Sequence, residues 1–178
     1  MHEFTTLDGV VDAPMWTVDY GFPDDLAAAI GGLTARSRAI LLGRTTYEMF
    51  APAWSTRTVE DDPGAPFFND TPKHVVSSTL TDPSWGPVRV LPGYDADAIR
   101  ALKDEVDGDL YVSGSATLVR ALLADGLVDE LHLLVYPLAV GTGIRLFPEG
   151  APATRLALAG SEAFSNGVVP LTYGPAPA

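Results

Sequence analysis

Cysteine is absent from these 178 residues, which excludes disulfides, thiolate zinc sites and cysteine nucleophiles. Histidine is scarce. His2, His74 and His132 are scattered, with no His-x-x-x-His or Glu-x-x-His pair around them, so no catalytic metal is expected. Basic residues are few as well: 11 Lys and Arg face 23 Asp and Glu, for a net charge of −12. A nucleic-acid face needs Lys and Arg to displace counterions, and an anionic membrane surface needs the same, so neither is an expected partner. No apolar run reaches the ~18 residues of a membrane span, and residues 1–6 lack the basic start and apolar stretch of a signal peptide. Together these absences predict a cytoplasmic location.

Apolar residues make up 47% of the chain, enough for one buried core at this length. Strand-like and helix-like stretches alternate, which predicts an α/β class. Strands are expected at 2–7, 38–42, 73–77, 88–91, 110–112, 130–136, 155–164 and 168–173. Helices are expected from Pro23-Asp24-Asp25 to Arg36, with Gly31-Gly32 weakening the middle, and at 45–51, 95–106 and 116–124. Residues 54–71, with Pro63, Gly64 and Pro66, read as a loop. Ser165-Asn166-Gly167 signals a hairpin, and Gly141-Thr142-Gly143 reads as a hairpin loop. No repeat or linker divides the chain, so residues 1–174 form one domain and 175–178 a frayed tail.

Two strand-to-helix junctions carry the chemistry. In Leu41-Leu42-Gly43-Arg44-Thr45-Thr46 and Tyr111-Val112-Ser113-Gly114-Ser115, an apolar strand runs into glycine and hydroxyl residues before a helix. A helix start offers unpaired N–H groups and partial positive charge. Two of them on one parallel sheet suit a ligand with several phosphates, such as a nicotinamide dinucleotide. Each junction reads equally as a plain helix start with a hydroxyl cap or a tight turn. Arg44 is the best-placed cation for such a ligand in so acidic a chain. Ser77 and Ser78 end a strand, where capping of the next turn is favoured on spacing alone. Asp24 and Asp25 suit a helix start, although one of them could face a cleft that Trp16 walls.

The chain resembles the dihydrofolate reductase superfamily, in the branch of the C-terminal reductase domain of the riboflavin-biosynthesis deaminase-reductase. The carriers are Leu7-Asp8-Gly9-Val10-Val11, Leu41 to Glu48, Val75-Val76-Ser77-Ser78, Tyr111 to Ser115 and Glu130-Leu131-His132-Leu133. The resemblance implies a single-domain fold with a central, mostly parallel sheet, flanking helices and a C-terminal antiparallel hairpin. It implies hydride transfer from NADPH to a small-molecule substrate. Gly43, Arg44, Thr45 and Thr46 would meet the phosphates, with Ser77 and Ser78 near the adenosine 2′-phosphate. Ser113, Gly114 and Ser115 would hold the pyrophosphate, and Val10 and Val11 would flank the nicotinamide. Phe22-Pro23-Asp24-Asp25-Leu26 matches the folate enzymes' acidic helix start, making Asp25 the candidate catalytic and substrate-binding acid beside Trp16. The expected activity is that of a 5-amino-6-(5-phosphoribosylamino)uracil reductase-like protein. The alternatives are a dihydrofolate reductase and a non-catalytic, dimeric nucleotide-binding domain. A homodimer is expected, because Tyr136, Leu138, Val140, Leu146 and Phe147 offer more apolar surface than one sheet face needs.

Overall fold

The computed structural model describes residues 1–177. Its strands are β1 (His2–Thr6), β2 (Ser37–Gly43), β3 (Lys73–Val76), β4 (Val88–Leu91), β5 (Asp109–Val112), β6 (Leu131–Tyr136), β7 (Leu156–Ser161) and β8 (Val169–Pro175). Its helices are α1 (Asp24–Arg36), α2 (Arg44–Trp54), α3 (Ala65–Asp70), α4 (Ala96–Glu105) and α5 (Ala116–Ala124), and Met15–Tyr20 winds as a short 3-10 turn.

The strands form two four-stranded ladders, β4-β3-β2-β5 and β1-β6-β8-β7. All pairs in the first ladder are parallel. Parallel strands need crossovers, and the helices between them lie on both faces. Strand β2 is therefore apolar on both sides: Ala39 to Leu42 are at most 2% exposed. Leu41 and Val112 face Ile99, Leu102, Leu118 and Leu122 of α4 and α5. Ile40, Leu42, Val75 and Tyr111 face Tyr47, Phe68 and Trp85 on the other side. In the second ladder, β1 pairs parallel with β6, while β8 runs antiparallel to both β6 and β7. A third cluster, Leu26, Leu134, Tyr136, Phe164 and Val168, seats α1 there. The ladders meet at the parallel bridge His2–Ser113.

Four expectations need correction. Residues 54–71 are not all loop, because α3 starts with Pro66 in its first turn, where a missing N–H costs nothing. Strand β8 reaches Pro175, paired with Leu156, one residue into the expected tail; Ala178 lies outside the described residues. Gly141-Thr142-Gly143 does not turn a hairpin, because β6 pairs with β8 rather than with β7. Tyr136 and Leu146, expected on a surface patch, are 0% and 2% exposed. Tyr136 is covered by Phe4, Trp16 and Tyr20, whose rings lie 5.0 to 5.9 Å away. Helix α1 runs unbroken through Gly31 and Gly32. No helix among the described residues is long and apolar enough to cross a membrane.

Candidate active site

Strands β2 and β5 are neighbours, so their carboxyl ends open side by side onto one cleft of about 500 Å3. The lining includes Gly43, Arg44, Thr45 and Thr46 from the first junction and Ser113, Gly114 and Ser115 from the second. Neither α2 nor α5 has a side-chain cap at its N-terminus. Helix α4 shows the contrast, since Asp95 accepts from the amides of Asp97 and Ala98, while α1 and α3 also start without such a cap. The two uncapped starts leave their donors and the positive ends of their dipoles toward the cleft.

The junctions interlock. The Gly43 amide donates to Ser115 Oγ at 2.9 Å, and Ser115 Oγ shares a further hydrogen bond with Thr46 Oγ1. A Cβ at Gly43 would stand 3.1 Å from Ser115 Oγ. One at Gly114 would stand 3.3 Å from Thr46, at a φ of +64° that disfavours any side chain. This close backbone cradle fits a phosphate-bearing ligand.

Arg44 is the one cation lining the cleft among the described residues. Its Nε donates to Glu48 at 2.7 Å and its Nη1 to Thr79 Oγ1 at 2.6 Å, which holds the guanidinium over the turn that follows β3. Ser77 caps that turn: its Oγ accepts from the amides of Thr79 and Leu80. Ser77 is buried and Ser78 exposed, and neither is in the lining.

The first loop closes the other side. Val11 lines the cleft, and Val10 is buried behind it, bridged to Arg145. The 140–145 segment clasps this loop. Asp8 accepts from the Thr6 hydroxyl and from the amides of Gly141 and Val140. These donors, Thr6 first, lower its carboxyl to about 2. The Val11 amide donates to the Ile144 carbonyl at 2.8 Å, and the Ile144 amide donates to Asp12 at 2.7 Å. Gly143 is glycine for space, since a Cβ there would meet Val10 at 2.6 Å.

Asp25 and Trp16 are not brought to the cleft. Asp25 accepts from the Ser165 amide at 2.7 Å and from the Leu26 amide at 2.8 Å. These bonds, Ser165 first, hold its carboxyl below the ordinary range, so it ties α1 to the β7–β8 turn as an ionised acceptor. Trp16 packs edge-on against Tyr136.

One acid escaped the sequence reading. Glu3 lines the cleft from β1 and is only 2% exposed. Burial pushes its carboxyl up to about 8, against smaller opposing pulls from the Met1 ammonium and the Gly114 amide. An acid at an interior strand position was a legible anomaly. Its neighbour His2 is also buried, lowered to about 3 by burial first, with Ser113 Oγ 3.3 Å from its Nε2.

Fold and site together define a dihydrofolate-reductase-like α/β protein with its cleft at the carboxyl edge of the sheet. The profile of the RibD C-terminal domain matches residues 1–170; the chain belongs to that family. An uncharacterised Bacillus subtilis protein, YyaP, is 31% identical over 77 residues, 43% of this chain and 41% of YyaP. The alignment thus spans about two-fifths of that relative. A putative riboflavin biosynthesis protein from Shewanella sp. PV-4 superposes with a TM-score of 0.79 at 21% identity, over 99% of this chain and 97% of the other. Dihydrofolate reductase from Enterococcus faecalis, solved with NADP(H), superposes with a TM-score of 0.61 at 15% identity, over 97% and 93%. At these identities the two structures establish the fold.

Proposed function

We propose that this protein is an NADPH-dependent reductase of the riboflavin-biosynthesis type, acting on 5-amino-6-(5-phosphoribosylamino)uracil or a closely similar aminopyrimidine. The observation that carries the reading is the convergence of two uncapped helix starts on one glycine-lined cleft, in a chain of the RibD C-terminal family. The names of the two structural neighbours support it: one is a riboflavin biosynthesis protein, the other a reductase complexed with NADP(H).

In this reading Gly43, Arg44, Thr45 and Thr46 hold phosphates. Arg44, braced by Thr79, takes the adenosine 2′-phosphate beside the turn that Ser77 caps. Ser113, Gly114 and Ser115 hold the pyrophosphate and border the nicotinamide, and Val11, backed by Val10, packs against the ring. When bound, the dinucleotide supplies hydride from its nicotinamide C4. The chain's own contribution is to orient that carbon and exclude water around it.

Fluorescence titration should show NADPH binding at least about tenfold tighter than NADH, because a charge-assisted bond to the extra phosphate is worth roughly 1.5–3 kcal/mol. Equal affinities would sink the phosphate assignment. A spectrophotometric assay with the aminopyrimidine then tests turnover. Dihydrofolate should be consumed far below the ~10 s⁻¹ median for enzymes. Asp25 is committed to Ser165, while Arg36 is paired with Asp109 and Glu130. A rate near that median, lost in Asp25→Asn, would favour a dihydrofolate reductase. NADPH binding with neither substrate consumed would favour a non-catalytic domain.

The other partner in this proposal is a second copy of the chain. With Tyr136 and Leu146 interior, the exposed apolar side chains of this region are Val140, Ile144 and Phe147. A monomer mass by light scattering at micromolar concentration would count against a dimer.

A further inference from the structure

Strand β1 is buried at His2, Glu3, Thr5 and Thr6. A carboxylate at such a position is strongly disfavoured unless it is paired or keeps its proton. Glu3 is not paired: among the described residues no ion pair includes it. Its Oε1 is sealed from water and has no hydrogen-bond partner. Yet the residue forms part of the cleft wall, beside Ser113 and Gly114. An acid kept at this expense in the wall of a binding cleft fits a role toward the cleft's occupant.

We infer that Glu3 is the acid of this cleft, donating its carboxyl proton to the nitrogen or oxygen of a substrate C=N or C=O bond as hydride reaches the carbon. The inference rests on the reductase reading above. In the step, the Glu3 O–H bond breaks and an N–H or O–H bond forms on the substrate. The electron pair of the new C–H bond comes with the hydride of the reduced nicotinamide cofactor, which is thereby oxidised. The carboxylate left behind regains its proton from solvent after product leaves. Asp25, the acid expected for this duty, is ionised, bound to Ser165 and outside the cleft lining.

The charged and titratable surroundings agree with an un-ionised Glu3. The Met1 ammonium and the Gly114 amide favour the carboxylate, and burial outweighs both. Tyr111 on β5 is buried too, and burial first raises its ionisation, with the Ser113 hydroxyl pulling the other way. Around the cleft stand Asp12, Arg44 and Tyr94, of which Arg44 is engaged by Glu48.

Three measurements on the full chain test the assignment. Carboxyl 13C resonances of the wild type, assigned with Glu3→Gln, should show one Glu titrating near about 8. Glu3→Gln should bind NADPH within about threefold of wild type by fluorescence, since the amide is isosteric. NADPH oxidation with 5-amino-6-(5-phosphoribosylamino)uracil should fall at least about a hundredfold in Glu3→Gln, and the wild-type fall-off with rising pH should disappear. A Glu3 midpoint at the ordinary 4.5, or a Glu3→Gln rate equal to wild type, overturns the assignment and leaves the reductase reading standing. Failure of the wild type to bind NADPH or to turn over the pyrimidine overturns the reductase reading and the donor's role with it. If the variant folds poorly, the wild-type titration still decides: the absence of any Glu carboxyl titrating above the ordinary range overturns the assignment.

Discussion

The two junctions of the cleft look alike on paper and differ in the molecule. At the first, the chain leaves β2 through Gly43 in ordinary extended backbone and enters α2 at Arg44. At the second it leaves β5 through Gly114 and Ser115, both left-handed, before α5 begins. The first needs glycine only for room against Ser115. The second needs it for conformation as well, and it spends a further ~1–2 kcal/mol holding a serine left-handed. Their chemical company differs too. Arg44 brings positive charge to the first junction, whereas the second lies against the buried acid Glu3. The cleft is thus polarised, with an anion-receiving side and a proton-holding side.

The largest expected effect attacks the second junction. Gly114→Val would put a β-branched residue at φ +64° against Thr46, costing about 3 kcal/mol in strain and crowding and abolishing cofactor binding. Circular dichroism melting and NADPH titration report the two losses. A variant that folds and binds normally would reduce this junction to a turn.

Next comes the acid beside it. Glu3 has a folded-state value of about 8, above the ordinary 4.5, so the folded protein holds a proton that the unfolded chain releases. Stability is then fully present below about 4.5 and is lost as pH rises toward about 8. Melting temperatures at about pH 6 and about pH 9 should diverge more in wild type than in Glu3→Gln. Parallel behaviour of the two proteins would argue against a protonated acid.

Ser115 separates conformation from hydrogen bonding. Ser115→Ala keeps the left-handed strain and orphans the Gly43 amide, for a loss of about 1–2 kcal/mol. Ser115→Gly loses the same bonds but relieves the strain, so it should melt higher than the alanine variant. The reverse order would show that holding residue 115 left-handed costs little. At the first junction, Arg44→Gln should erase the NADPH-over-NADH preference, about tenfold, with little change in melting temperature. The ion pair it breaks is half-exposed, and such pairs contribute ~0–1 kcal/mol.

The smallest effect is expected away from the cleft. Asp25 is held below its ordinary value, so its contribution is present at neutral pH and lost as pH falls through the acid range. Asp25→Asn should remove a little of that acid sensitivity and leave cofactor binding unchanged. A loss of NADPH binding would place the acid at the site after all.

What could be read from residues alone followed short-range physics. The span of α5 matched because Asp125-Gly126 stops a clean apolar pattern, and β2 came within one residue at each end because Ala39 to Leu42 has no polar face. The outlines of both junctions were visible, and so was the fold that holds them. Helix α3 was not, because Pro63, Gly64 and Pro66 act as breakers everywhere except in a first turn. The partners of Asp25 and Asp8 lie 140 and 133 residues away, and no local pattern encodes a hydrogen bond across that distance. Tyr136 and Leu146 went astray for a similar reason: what covers Tyr136 comes from the start of the chain.

The single bridge between the two ladders also has a mechanical meaning. Between β2 and β3 the register runs over four residue pairs, and between β1 and β6 over five, whereas His2–Ser113 is the only pair between β5 and β1 among the described residues. Bending is expected to concentrate at that seam, along which the cleft lies, as between two plates restrained by Arg36, which pairs with Asp109 of β5 and with Glu130 just before β6. Amide hydrogen exchange should therefore be faster around Ser113 than in the middle of β2, and a ligand spanning the seam should slow it. Uniform protection across the sheet, unchanged by NADPH, would mean that the plates do not move against each other.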